Sequence, residues 1–146
     1  MRLAFANRLF AAAIGLLLAG TLVLTGGSAA AEDESASSGV SHATLATEAL
    51  PNVPGKKLTA LTVELAPGAV SPSHRHAGFV FAYVLSGEVR SRLNDGPAKL
   101  FRAGESFVEP PGTVHTLTEN PSRTEPARLL VIFVAEADAK LTTYDR

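Results

Sequence analysis

The side chains best suited to chemistry in this 146-residue chain are four histidines: His42, His74, His76 and His115. There is no cysteine, which removes thiolate metal sites, cysteine nucleophiles and disulfide scaffolds together. His74 and His76 flank Arg75, just ahead of an apolar run. Residues i and i+2 of a strand face the same way, so both imidazoles project from one face. Two imidazoles side by side and away from water are costly unless something binds them. A divalent cation does this well, since imidazole is its commonest nitrogen ligand. A His-x-His pair alone is also common on plain surfaces. His115 strengthens the metal reading, because it follows the rigid turn Pro110-Pro111-Gly112. A strand delivered from that turn beside the first would bring a third imidazole inward. Three histidines with an open side form a catalytic-metal arrangement. Such ligands suit Zn, Fe, Ni, Cu, Co or Mn and do not choose among them. His42 lies in a small-residue, polar stretch and is expected to be exposed and without a role.

The elements that must position these histidines are short strands. Leu58 to Leu65, Phe79 to Leu85, Glu88 to Leu93, Lys99 to Arg102, Ser106 to Glu109, Val114 to Thr118 and Arg128 to Ala135 are each closed by Gly, Pro, Asn or Asp. Asn94-Asp95-Gly96 is a hairpin turn, because these residues tolerate positive φ. Leu129–Val134 is apolar on both faces, as a buried strand is. Close, regular strands predict an all-β sandwich or barrel. Continuing the parity of His74 and His76, Val80, Ala82 and Val84 share the inner face. Phe79, Phe81 and Tyr83 take the outer one. That aromatic stripe is large for a monomer to expose, so either a second copy in a homodimer covers it or the N-terminal segment or a second sheet does.

The spacing resembles that of the cupin superfamily, a double-stranded β-helix or jelly-roll barrel. Its first motif has Gly, five residues, His-x-His, then Glu, then Gly after six more. Here Gly68, His74, His76 and Gly87 fit. Its second motif has Gly, five residues, Pro-x-Gly, two residues, His, three residues, Asn. Here Gly104, Pro110, Gly112 and His115 fit. The resemblance spans about residues 57–135. It implies a metal held by His74, His76 and His115. Two positions depart: Val80 stands where the family has its glutamate, and Glu119 where it has asparagine, with Asn120 one residue late. Glu109 and Glu119 are the possible substitutes for the carboxylate, although both also read as solvated surface charge. With no carboxylate the ion would keep its full +2 charge, bind more weakly and hold anions more strongly.

The resemblance implies a metal-dependent enzyme acting on a small oxygenated compound, as a dioxygenase, isomerase or decarboxylase. The alternative is a non-catalytic module of the cell envelope that binds metal or a small ligand. A third reading has the metal only stabilise the barrel. No general base is identifiable, and Tyr83 is on the wrong face.

The N-terminus reads as an address. Arg2 and Arg8 precede an apolar run from about Leu9 to Leu24, and Ala29-Ala30-Ala31 follows. A basic start, apolar middle and small-residue end make a secretory signal peptide cleaved after Ala31, rather than a retained anchor. The expected division is a signal peptide at 1–31, a flexible linker at 32–56, with Leu45 and Leu50 available to lay part of it along the domain as an edge strand, a β-barrel at 57–138 and a C-terminal tail at 139–146. The mature protein would be secreted or periplasmic, with no membrane association. Losing Arg2 and Arg8 leaves 11 basic and 14 acidic side chains, a net charge of -3. No basic field remains for nucleic acid. The partner that the cupin resemblance implies is a small-molecule ligand or substrate. Since the linker has little to bury, trimming it through residue 50 is expected to leave the melting temperature nearly unchanged.

Overall fold

The computed structural model describes residues 39–145. The expected signal peptide, the start of the linker and Arg146 lie outside them. Eleven strands run in chain order: β1 Val40–Ala49, β2 Lys56–Leu65, β3 Val70–Ser71, β4 His74–His76, β5 Phe79–Ser86, β6 Glu88–Leu93, β7 Lys99–Arg102, β8 Ser106–Glu109, β9 Val114–Glu119, β10 Ala127–Glu136 and β11 Thr142–Tyr144. No described residue is helical. One sheet has the order β1-β2-β10-β5-β8, the other β11-β4-β9-β6-β7 with β3 beside β9, and every pairing is antiparallel. This is the all-β architecture expected from the strand spacing, in the double-stranded β-helix form that the cupin resemblance implies.

β10 is the organising strand because it is apolar on both faces. Leu129, Val131 and Phe133 are buried, facing inward between β2 and β5. Leu61 and Leu65 of β2 and Val80, Ala82 and Val84 of β5 meet them in one core. Such side chains contribute about 1.5–3 kcal/mol each when fully buried. The parity assigned to β5 holds: Val80 and Val84 are fully buried, while Phe79, Tyr83 and Leu85 are exposed. The route to it differs, because β4 and β5 are not one strand but belong to different sheets. The chain crosses between them at Ala77-Gly78, where Gly78 has φ +103°. A Cβ there would lie 2.3 Å from the Val134 carbonyl oxygen, so only glycine fits. Both strands face the interior, and the alternation survives the crossing.

Two segments depart from the expected division. Residues 40–49 are not linker but the edge strand β1, in register with β2 from Val40↔Leu65 to Ala49↔Lys57. Most of its side chains are exposed and Val40 alone is fully inside, so local hydrophobicity gives little sign of a strand. Backbone pairing to β2 holds it. The C-terminal tail is likewise part of the barrel. β11 pairs with β4 in the register Thr142↔His76 and Tyr144↔His74, closing one side of the histidine strand.

Candidate metal centre

The second sheet brings the three histidines together. β4 and β9 pair with His74 directly opposite His115, and His76 follows two residues along β4. One nitrogen from each ring lies at most 4.8 Å from the others. His74 and His115 are buried, and His76 nearly so. His74 and His76 meet edge-on, with ring centroids 4.8 Å apart.

Hydrogen bonds fix which nitrogens are free. His74 Nδ1 donates to the Pro72 carbonyl at 2.7 Å, and His76 Nδ1 to the Leu141 carbonyl at 3.2 Å. A carbonyl only accepts, so each ring carries its proton on Nδ1 and keeps the Nε2 lone pair. His115 is turned the other way. Its Nε2 lies 2.7 Å from Ser91 Oγ and 2.9 Å from Thr118 Oγ1. Such outer partners orient metal-binding imidazoles. Sequence reading missed all of these partners, because pairing across distant strands puts them there.

Glu109 completes the cluster. It is buried, at the end of β8, with Val80 of β5 as its direct cross-strand neighbour. Its Oε1 lies 3.1 Å from His115 Nδ1. Its Oε2 lies 3.9 Å from His76 Nε2 and has no hydrogen-bond partner. The expectation that Glu109 is a solvated surface charge is therefore corrected. The Pro110-Pro111-Gly112 turn reverses the chain so that residues 109 and 115 both face inward. Glu119 points elsewhere and pairs with Arg90. Asn120 is a structural residue: its buried amide donates to the carbonyls of Leu65, Ala66 and Glu125.

The electrostatics favour neutral imidazoles. Burial lowers His74 to about 4, and the neighbouring His76 and His115 lower it further. Burial also lowers His76, against the pull of Glu109. For Glu109, burial alone would raise the carboxyl. The His115 hydrogen bond and the surrounding imidazoles outweigh it, and the net direction is downward. At neutral pH the cluster is thus two imidazoles with free Nε2 lone pairs, His115, and an ionised carboxylate with one unsatisfied oxygen.

This donor set fits a divalent transition ion. Ligands on opposite sides of an ion with bonds of about 2.1 Å stand roughly 4.2 Å apart. The two distances from Glu109 fall inside that limit. The widest histidine separation exceeds it by about half an ångström, within reach of small ring rotations. One side of the cluster is open to a cavity of about 730 Å³ between the sheets. Leu61, Val63, Ala82, Leu129, Val131 and Phe133 give it apolar walls, and His42, Lys140 and Tyr144 also line it. His42, expected to have no role, thus reaches the cavity from β1.

Comparison with known proteins agrees with this geometry. The cupin domain family matches residues 61–133, half of the chain. Comparison with curated protein sequences finds no significant match. Among solved structures, a conserved double-stranded β-helix protein of Klebsiella pneumoniae is similar, at 22% identity and TM-score 0.57, covering 73% of this chain and 84% of that one. KdgF from Halomonas sp. is similar at 24% identity and TM-score 0.54, covering 68% and 82%. The DMSP lyase DddQ from Ruegeria pomeroyi is similar at 22% identity and TM-score 0.53, covering 60% of this chain and only 42% of that one. At these identities the likeness speaks for the fold. With both histidine motifs falling inside the matched residues and converging on one point of a double-stranded β-helix, the chain belongs to the cupin family.

Proposed function

We propose that this chain is an exported, metal-dependent cupin that binds a small, largely apolar molecule through an oxygen donor and acts on it at His74, His76 and His115. The observation that carries this reading is the convergence of three imidazoles on the wall of an apolar cavity. About 730 Å³ lies within the range of small-molecule sites. A divalent ion held there would act as a Lewis acid toward the oxygen of a bound compound. The chain's own contribution is threefold. The hydrogen bonds at Pro72, Leu141, Ser91 and Thr118 hold the imidazoles in place. Walls from β2, β5 and β10 keep water off the bound molecule. Exposed Lys140 offers a positive charge to an acidic group on the ligand.

Dioxygenation, isomerisation and decarboxylation all suit such a site. The solved relatives include a lyase and an oxalate oxidase, which supports reactions on small oxygenated compounds. Tyr83 faces away from the cavity and is no candidate base. The second reading, a binding module without catalysis, is favoured by the engagement of the one buried carboxylate, Glu109, with His115 and His76 rather than with the cavity space. The basic start and small-residue end of residues 1–31 support export to the periplasm or beyond.

Binding of catechol-like and diketone compounds to metal-loaded and chelator-treated protein, with oxygen uptake followed in parallel, tests the reading. Metal-dependent binding with turnover supports the enzyme. Metal-dependent binding without turnover supports the module. Equal binding with and without metal refutes both.

A further inference from the structure

We infer that Glu109 is the carboxylate ligand of this centre, supplied from the strand opposite the position where the family carries its own. The inference rests on the proposed metal site and adds a fourth donor to it.

Four observations carry it. Position 80, where the family has glutamate, holds Val80, which is fully buried. Glu109 is its direct neighbour across β5 and β8, in the register Val80↔Glu109. Directly opposed residues on one sheet face are about 4.5–5.5 Å apart at Cβ, so a side chain from position 109 reaches the space that one from position 80 would fill. The Glu109 side chain is only 5% exposed, and its Oε2 is an unpartnered buried oxygen.

The fourth observation is the facing of acceptors. The proton on His76 Nδ1 leaves Nε2 as a lone pair, and this lone pair stands 3.9 Å from Glu109 Oε2. Neither atom can donate to the other. Two buried acceptors face to face are unfavourable unless a proton, a water or a cation lies between them. A cation satisfies both at once, and His115 Nδ1, 3.1 Å from Oε1, offers a third donor atom to the same point. Without an ion His115 Nδ1–H donates to Glu109 Oε1; an ion taking that place moves the proton to Nε2, where the Ser91 and Thr118 hydroxyls can accept it, and frees the Nδ1 lone pair.

Ligation by Glu109 changes the charge of the centre. Three neutral imidazoles would leave the ion at +2, and the carboxylate reduces this to +1. The stronger anion affinity expected from a carboxylate-free site is withdrawn accordingly.

The test is calorimetric titration of the chelator-treated chain with Zn²⁺, together with its metal-free melting curve. Glu109→Gln keeps the size of the side chain and an acceptor for His115 but removes the anionic ligand. The expected result is a loss of Zn²⁺ affinity of at least about tenfold, comparable to other ligand-level changes, with a metal-free melting temperature equal to or above that of the wild type. In Glu109→Ala, the added change Val80→Glu should restore affinity by returning a carboxylate from across the strand pair. Affinity of Glu109→Gln within twofold of wild type overturns the inference. A loss of affinity with a matching fall in metal-free melting temperature also overturns it, assigning Glu109 to holding His115. Wild-type protein that takes up no Zn²⁺ defeats the metal site itself, which separates the two failures.

Discussion

Removing β1 should destabilise the barrel substantially, contrary to what the composition of residues 32–56 implies. β1 is in register with β2 over its whole length. Its backbone hydrogen bonds contribute roughly 0.5–1.5 kcal/mol each. Ordering the strand costs about 1–2 kcal/mol per residue, which offsets those bonds in full. The net effect then comes from side chains. Val40 is 8% exposed, and it lies across the sheet from Leu65, which is fully buried. Thr44 lies across from Leu61, also buried. Losing Val40 and partly uncovering the two leucines forfeits about 3 kcal/mol at the usual burial scale. For a domain of this size, each kcal/mol shifts the melting temperature by about 4–8 °C, so a fall of roughly 12–24 °C is expected. A chain beginning at Leu50, compared with one beginning at Ser38 by thermal unfolding in chelator, measures it. A fall below about 5 °C refutes the assignment of β1 to the core sheet.

In chelator-treated protein, stability should fall as pH drops from about 6.5 to 4. His74 stays neutral down to about 4 when folded, whereas an unfolded imidazole protonates near 6.5. The unfolded state therefore binds more protons in that window. The difference is worth up to about 3 kcal/mol, and His76 adds to it with the same sign. Glu109 is held below its ordinary value, so its contribution is lost only at still lower pH. Urea unfolding at pH 7.5 and 4.5 checks this, and equal stabilities contradict it. Val80→Glu in the otherwise unchanged chain should lower metal-free stability, since it sets two carboxylates directly opposite each other inside the barrel; a melting temperature equal to wild type counts against the register. The outer face of β5, with Phe79, Phe81 and Tyr83 beside Val108 and Ile132, should bury itself against a second copy of the chain. Sedimentation at tens of micromolar should show a dimer, and monomer alone removes the idea.

Where a strand alternates or is bounded by Gly and Pro, local sequence placed it well. β5, β6, β8 and β10 follow their expected ranges closely because Gly, Pro or Asn stands at or near their ends: Gly78 and Gly87 about β5, Gly87 and Asn94 about β6, Gly104 and Pro110 about β8, and Pro126 ahead of β10. β1 was legible only as an edge-strand alternative for part of the linker, from Leu45 and Leu50, because its partner, not its own composition, makes it a strand. β4 and β11 have three residues each, too few for a period to show. The histidine triad was legible because His74, His76 and His115 sit at fixed offsets from Gly and Pro positions that dictate turns. Glu109 was not, since its parity depends on how the chain passes Pro110-Pro111-Gly112 and on the register of β8 with β5. Neither is encoded in neighbouring residues. The same holds for Ser91, Thr118 and Leu141, which reach the imidazoles only through pairing between distant segments.

His74, His76 and His115 together should hold one divalent ion. Elemental analysis of protein purified from its native compartment, followed by Zn²⁺ titration of the chelator-treated wild type and of His76→Ala, tests it most directly. The purified protein should carry one transition ion per chain, the wild type should rebind it stoichiometrically and His76→Ala should not bind it. Wild-type protein that neither carries nor rebinds an ion, or a His76→Ala variant that binds as tightly as wild type, contradicts it.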